Sequence, residues 1–310
     1  MGIVRAVCIS ERRGIQKKDV GTANFQVGFG IEGDAHGGNW HRQVSLLSAE
    51  KIDAFNQKGA GVKPGAFGEN LVVEGYDFRT LPVGTRFRCN DVILEMTQIG
   101  KECHTHCQIY HKMGECIMPT QGVFAQVLHG GTISVGDELR MLEERDTRYT
   151  AAVVTMSDKG ARGEREDTSG PLICDMLENA GYRVAEKLLI PDDQPGIEKE
   201  LTRLADGRQV NLILTTGGTG FSERDCTPEA TMAVATRNAP GIADAIRMHS
   251  LSITGRAMLG RGVSVIRNKT VIVNLPGSRK AVRESLEYIL PHLEHGIQIL
   301  MGDTSDCGGK

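Results

Sequence analysis

The hydrophobic pattern of the chain changes period once, near residues 140–150, and that change limits the folds open to it. Before it, short alternating runs (QVSLLS, NLVVEG, TRFRC, VILEMT, FAQVLHGG) are split by glycine-rich turns such as GIEGDAHGG, GAFGEN and GGTISVGDEL. Closely spaced strands with little helical period imply a β-rich barrel or sandwich. The charged, apolar-poor EERDTR at 143–148 reads as a linker. After it the rhythm becomes strand, loop, helix. YTAAVVTM, VAEKLLI, VNLILT and TVIVNL read as strands. Pro171 is expected to open a helix with Leu172, Ile173, Met176, Leu177 and Ala180 on one face and Gly181 closing it. Ile197, Leu201 and Leu204 stripe the next helix, and Thr227 reads as an N-cap with Pro228 at the first helical position. Val282, Leu286, Ile289, Leu293, Ile297 and Leu300 stripe a long final helix that Pro291 should kink. Apolar strands alternating with helices imply a mostly parallel sheet covered on both faces. The expected domains are therefore 1–143 and 149–303, with a disordered tail at 304–310.

Composition removes several function classes. The net charge of −3 over 310 residues gives no support for a nucleic-acid or membrane-surface partner. No apolar run approaches the roughly 18–20 residues that span a bilayer. The opening MGIVRAVCISERR lacks the apolar core of a secretory signal, and Ala6 breaks the myristoylation pattern. A cytoplasmic protein whose eight cysteines are reduced is the expectation.

Three loops leave expected strand ends carrying what an anion site needs. TTGGTG, from Thr215 through Gly217, Gly218 and Thr219 to Gly220, lets backbone N–H groups approach a phosphate. LPGS, with Pro276, Gly277 and Ser278, feeds a helix N-terminus that attracts anions. MSDKGARGERED brings Ser157, Asp158 and Asp167 together with Lys159, Arg162 and Arg165. In an open parallel sheet, ligands sit beyond the carboxyl ends of the strands. Asp192 and Asp225 would share that rim, with phosphates and Mg²⁺ between them. Neither the Walker nor the dinucleotide glycine pattern is present. A tight structural turn would account for the glycines alone, and helix caps or solvated loops for the acids.

The stretch LILTTGGTGFSERDCTPEAT, with SDKG and DTSGP, IPDDQ and NLPGS in the same order, closely resembles the molybdopterin adenylyltransferase family, which includes the G domain of gephyrin. The resemblance covers about 150–302. It implies a three-layer α/β/α fold, usually trimeric, that joins molybdopterin to AMP from ATP and releases pyrophosphate. By motif, Asp192 and Asp225 match the family's essential acids. Thr215 to Gly220 match its nucleotide-binding turn, and Pro276 to Ser278 its second phosphate loop.

TQIGKECHTHCQIYHKMGECIMP at 97–119 allows three readings. Its thiols are simply buried or surface groups. Or Cys103, His104, His106, Cys107, His111 and Cys116 supply a loose zinc site. Or one thiol is a nucleophile or sulfur carrier, its pKa lowered by Lys101 or His104. The surroundings GIEGDAHGG, RQVSLLS, GAFGENLVVEGYDF, MTQIGKEC and FAQVLHGGTISVGDEL resemble the MOSC domain over about 4–140. That resemblance implies a mostly β, barrel-like fold that binds molybdenum cofactor or a related pterin. It also implies a sulfur-carrying cysteine at Cys103, although Glu102 stands where the family often has Pro. His36, Arg42 and Asn70 lie in the matching motifs as contacts to an anionic pterin. The expected protein serves molybdenum cofactor biosynthesis, using Mg²⁺, ATP and molybdopterin, as a homotrimer in possible contact with other molybdenum cofactor enzymes. The alternatives are a non-catalytic molybdopterin scaffold and a hydrolase of another nucleotide.

Overall fold

Seven strands carry the alternation of the first half: β1 (Gly2–Ile9), β2 (Val44–Ser48), β3 (Leu71–Glu74), β4 (Arg86–Cys89), β5 (Val92–Ile99), β6 (Val123–His129) and β7 (Glu138–Leu142). The structure is a computed structural model that describes residues 1–103 and 108–302. Its chain divides into two units, Met1–Asp146 and Thr147–Lys310. In the first, the strands hydrogen-bond in the order β7-β4-β5-β6-β2-β3-β1, and β1 pairs back with β7 through Gly2↔Leu139. The sheet is thereby a closed barrel. One pair, β2 with β3, is parallel. Because successive side chains face opposite sides, Leu46, Leu71, Val73, Phe87, Leu94, Met96, Val123 and Ala125 fill the interior. Leu47, Val72 and Phe124 point the other way and pack with Ile52 and Phe55 of helix α1 (Ala49–Gln57). The mostly β, barrel-like expectation is met.

The second unit is built on the strands β8 (Thr150–Met156), β9 (Arg183–Ile190), β10 (Leu212–Thr216), β11 (Ser264–Arg267) and β12 (Thr270–Leu275). Their order is β9-β8-β10-β12-β11, with Arg237–Asn238 at the far edge. The pairs β8/β9, β8/β10 and β10/β12 are parallel, and β11 runs antiparallel to β12. One face packs Ala151, Val153, Leu212, Leu214 and Val273 against helices α2 (Ser169–Asn179), α5 (Pro240–Ile253) and α6 (Arg279–Met301). The other packs Ala152, Val154, Ile213 and Ile272 against α3 (Gln194–Thr202) and α4 (Thr227–Ala233). This is the expected three-layer arrangement around a mostly parallel sheet.

Local expectations shift at two helix starts. Helix α2 begins at Ser169, two residues before Pro171, because the Asp167 carboxylate accepts from the Ser169 and Gly170 amides (3.1 and 2.8 Å) and starts the turn earlier. Thr227 is the first helical residue rather than the cap: its buried hydroxyl donates to the Gly217 carbonyl (3.0 Å), and Cys226 takes the cap position. Helix α6 runs on through Pro291 to Met301. No helix among the described residues is long and apolar enough to cross a membrane. The tail 304–310 lies outside the described residues.

Beside the barrel wall lies a buried polar group. Lys17 Nζ donates to Asp34 Oδ2 (2.6 Å), as does Asn70 Nδ2 (2.9 Å), and the Ser10 amide donates to Asp34 Oδ1 (3.1 Å). Next to them the Gly65 and Phe67 amides donate to the fully buried Glu69 carboxylate (2.7 and 3.0 Å). Burial pushes Glu69 up from 4.5 to about 6, against the pull of those amides. The folded chain therefore holds more protons than the unfolded one between these values, and this component of stability falls as pH rises. A shift of this size is worth about 2 kcal/mol. Urea unfolding of the barrel should show this component fully present below pH 4.5 and gone above 6. In Glu69→Gln that part of the pH slope should vanish.

Candidate active site

The parallel pairing of β8, β9, β10 and β12 brings four loops to one edge. Met156 pairs with Ile190, Thr155 with Thr216 and Thr216 with Leu275, so these strands end side by side. The loops that follow enclose a cleft of about 570 Å³. Ser157, Asp167, Asp192, Gly217, Gly218, Asp225, Gly277 and Ser278 all line it, with the cations Arg165 and Arg279.

Close packing explains the glycines. Gly217 has φ +92°, and a Cβ there would stand 2.2 Å from the Met156 carbonyl oxygen. At Gly218, φ +62°, it would stand 2.4 Å from Thr227 Oγ1 and 2.9 Å from Asp192 Oδ1. At Gly220 it would meet Asp225 Oδ2 at 2.7 Å. The turn is therefore folded tightly between the two acids. Among the described residues, the amides of Gly217 to Phe221 donate to no protein acceptor, nor do those of Gly277, Ser278 and Arg279. A row of such donors makes an anion-binding concavity. The second loop is tied to the first: Thr216 Oγ1 donates to the Pro276 carbonyl (2.7 Å), and Gly277 lies against Gly217. The Ser278 hydroxyl accepts from the Ala281 amide (3.3 Å), capping α6.

The acids divide by environment. The Asp158 amide donates to Asp192 Oδ2 (3.0 Å), and the Asp192 amide donates back to Asp158 Oδ1 (3.1 Å). Arg224 grips Asp158 through two donors (2.9 and 3.0 Å), and that contact is the chief reason its carboxyl titrates below the usual range. Asp192 is pushed the other way, first by burial, then by the charges of Asp158 and Asp225. Asp225 accepts from the Ser222 amide (3.2 Å). A half-buried carboxylate crowded by a second one is a setting that a hard cation relieves, and Mg²⁺ is held by one or two carboxylates with phosphate oxygens and water. The donor set of Asp192 and Asp225 fits it.

The remaining predicted residues fall elsewhere. Asp167 touches the cleft, but its Oδ1 caps α2 and its Oδ2 accepts from Thr155 Oγ1 (3.0 Å). Thr215 is fully buried, its hydroxyl accepting from Asn274 Nδ2 (2.8 Å). Thr219 and Pro276 line a neighbouring cavity of about 240 Å³. In the barrel unit, Cys103 is exposed. Cys8 and Cys89 are buried, and burial pushes both thiols up to about 12. Arg42 lies over the Trp40 ring (4.7 Å), and His36 Nδ1 lies 3.6 Å from Asp34. Asn70 is buried and engaged with Asp34, Ser45 and the Cys8 carbonyl, so it frames this region from within. The zinc reading turns on His104, His106 and Cys107, which lie outside the described residues; among the described residues no group of three or more ligating side chains is placed to hold a metal. Sequence reasoning missed Arg261, which reaches the glycine turn, and Arg279, whose only signal is its place directly after LPGS.

Two family models match the chain: "Probable molybdopterin binding domain" over residues 152–295 and "MOSC domain" over 32–140. A molybdopterin adenylyltransferase of Helicobacter pylori (strain J99) is 38% identical over 160 residues, 51% of this chain and 91% of its own length. The chain belongs to the molybdopterin adenylyltransferase family. Enzymes of the same name from Haemophilus influenzae and Escherichia coli K12 are 44% and 42% identical over 137 residues, each match spanning 44% of this chain and 70% of the relative. The residues lining the cleft all lie within the stretch matched by the molybdopterin-binding model, and Cys103, His36 and Arg42 within the MOSC stretch.

In this family member Gly217→Ala should be costly, because the side chain would meet both a positive φ and the Met156 carbonyl. Strain of this kind is worth about 3 kcal/mol. Chemical denaturation should show that loss in the transition of the second unit.

Proposed function

We propose that the second unit adenylylates molybdopterin with ATP and releases pyrophosphate. The observation that carries this reading is the tight turn whose unengaged amides lie between two carboxylates at the head of a parallel sheet. The attacking group would be the terminal phosphate of molybdopterin. Its second pKa is about 6, so it is already an anion at neutral pH and needs no strong base. A phosphate oxygen attacks the α-phosphorus of ATP, a P–O–P linkage forms, and the bond to the β-phosphate oxygen breaks with its electron pair leaving on pyrophosphate. The barrier lies in bringing anions together and in the charge that develops between them.

Each part of the cleft has a task in that step. The amides of Gly217 and Gly218 bind phosphate oxygens, those of Gly277 to Arg279 at the start of α6 hold a second anion, and Arg165 and Arg279 offset charge. Asp192 and Asp225 would hold Mg²⁺, which supplies electrostatic stabilisation of the phosphates. A scaffold that only stored molybdopterin would have no use for two carboxylates placed this way. A cytoplasmic homotrimer assembled through this unit belongs to the same proposal. Asp192→Asn and Asp225→Asn should each lower molybdopterin-dependent pyrophosphate release by about a hundredfold or more, with unchanged circular dichroism. Wild-type rates in either folded variant would remove that residue from the assignment, and release without molybdopterin would point to a hydrolase.

The first unit, in the same proposal, binds the cofactor or modifies it with sulfur through Cys103. Exposure supports that choice, since among the described thiols of this unit Cys103 is exposed, Cys116 partly covered and Cys8 and Cys89 buried. Cys103 should alkylate well before these two, and its thiolate should take the outer sulfur of a donor persulfide, releasing the donor as a thiol. Mass spectrometry after timed alkylation measures the first, and metal analysis of protein purified without chelator checks the competing site. One equivalent of zinc with Cys103 protected would overturn the sulfur-carrier role.

A further inference from the structure

We infer that Arg261 is a positioning residue that holds the backbone of the glycine turn and of Asp225 beside the cleft. The inference rests on the adenylyl-transfer reading for its purpose, and on contacts alone for its geometry. Arg261 lies in the segment that follows the Gly255–Leu259 turn, far along the chain from the residues it holds. Its amide donates to the Thr219 carbonyl (3.0 Å), its Nε to the Gly220 carbonyl (2.6 Å) and its Nη2 to the Asp225 carbonyl (2.5 Å). Its remaining nitrogen pairs with Glu229 in the first turn of α4.

All three acceptors on the loop are backbone oxygens. A trans peptide is planar, with its N–H directed opposite to its C=O. The described residues contain no cis peptide. Drawing the Thr219 and Gly220 carbonyls toward Arg261 therefore turns the Gly220 and Phe221 amides away from it. Those are two of the amides that donate to no described protein group. Holding the Asp225 carbonyl fixes the backbone from which the second acid projects. One guanidinium thus sets both the donors and the position of a carboxylate.

The fork matters as well as the charge. A guanidinium offers five donors in one rigid plane, whereas the ammonium of lysine is a point charge on a flexible stem. Lysine at 261 should hold one carbonyl and release the others. Glu229 braces the outer side of the fork, so Glu229→Gln should weaken the arrangement without dissolving it.

The test uses the full chain. Hydrogen–deuterium exchange over residues 217–226 should rise about tenfold in Arg261→Lys and Arg261→Met, with the rest of the second unit unchanged. Calorimetric titration with a non-hydrolysable ATP analogue should give a Kd weakened about tenfold, and about two- to threefold in Glu229→Gln. A merely structural arginine would lower the melting temperature while leaving the folded protein with wild-type affinity for the analogue and wild-type exchange in the turn. That result overturns the inference. If Arg261→Met does not fold, Arg261→Lys and Glu229→Gln carry the same comparison. A wild-type protein that binds no analogue and releases no pyrophosphate would bring down the adenylyl-transfer reading, while the exchange comparison would still decide whether Arg261 holds the turn.

Discussion

The approach of Gly217 to the Met156 carbonyl oxygen governs the second unit's site. At 2.2 Å from a would-be Cβ, it leaves room for hydrogen alone. That closeness lets β10 turn over the end of β8, places Gly218 against Asp192 and Thr227, and puts Gly277 beside Gly217. Each neighbour then imposes its own demand. The turn cannot widen without separating the acid from the amides, so the same contact that costs backbone freedom sets the spacing between them.

Much of this architecture is legible in the sequence because it rests on periodicity. Alternation in the first half requires strands with one buried face, and the stripe from Val282 to Ile297 requires a helix. The loops TTGGTG and LPGS announce themselves by composition. What could not be read are interactions whose partners have no side-chain signature. Arg261 acts on backbone carbonyls, which every residue possesses, from a loop with no period. Asp167 followed by Thr-Ser-Gly is equally consistent with a ligand and with a helix cap, and only the structure shows that it accepts from the Ser169 and Gly170 amides while also lining the cleft. Asn70 is similar: its motif suggests a contact to a bound pterin, yet its amide is consumed by Asp34 and the Cys8 carbonyl.

The two units handle buried charge differently. In the barrel, Lys17, Asp34 and Glu69 are sealed from solvent, and Asp34 is kept ionised against its burial by His36, Lys17 and Asn70. Such a group orders the loops between strands, since losing one partner would leave another buried and unpaired. In the α/β unit the charges stand at the sheet's open edge, where Arg224 holds Asp158 and Asp192 remains half-buried beside Asp225. Sealed charge specifies structure, while charge at an open rim can meet a ligand.

The pairing of β1 with β7 has a consequence for the order of folding. Gly2 finds its partner at Leu139, so the barrel closes only when nearly all of its chain is present. During synthesis the first strand emerges long before its second neighbour, and its apolar residues Val4 and Val7 must stay uncovered or take temporary partners until Leu142 has left the ribosome. The second unit has no such gap between its ends: β8 is an interior strand, and its neighbours β9 and β10 both follow it in the chain. Folding therefore has a late, single closing event in one half of the chain and stepwise accretion in the other.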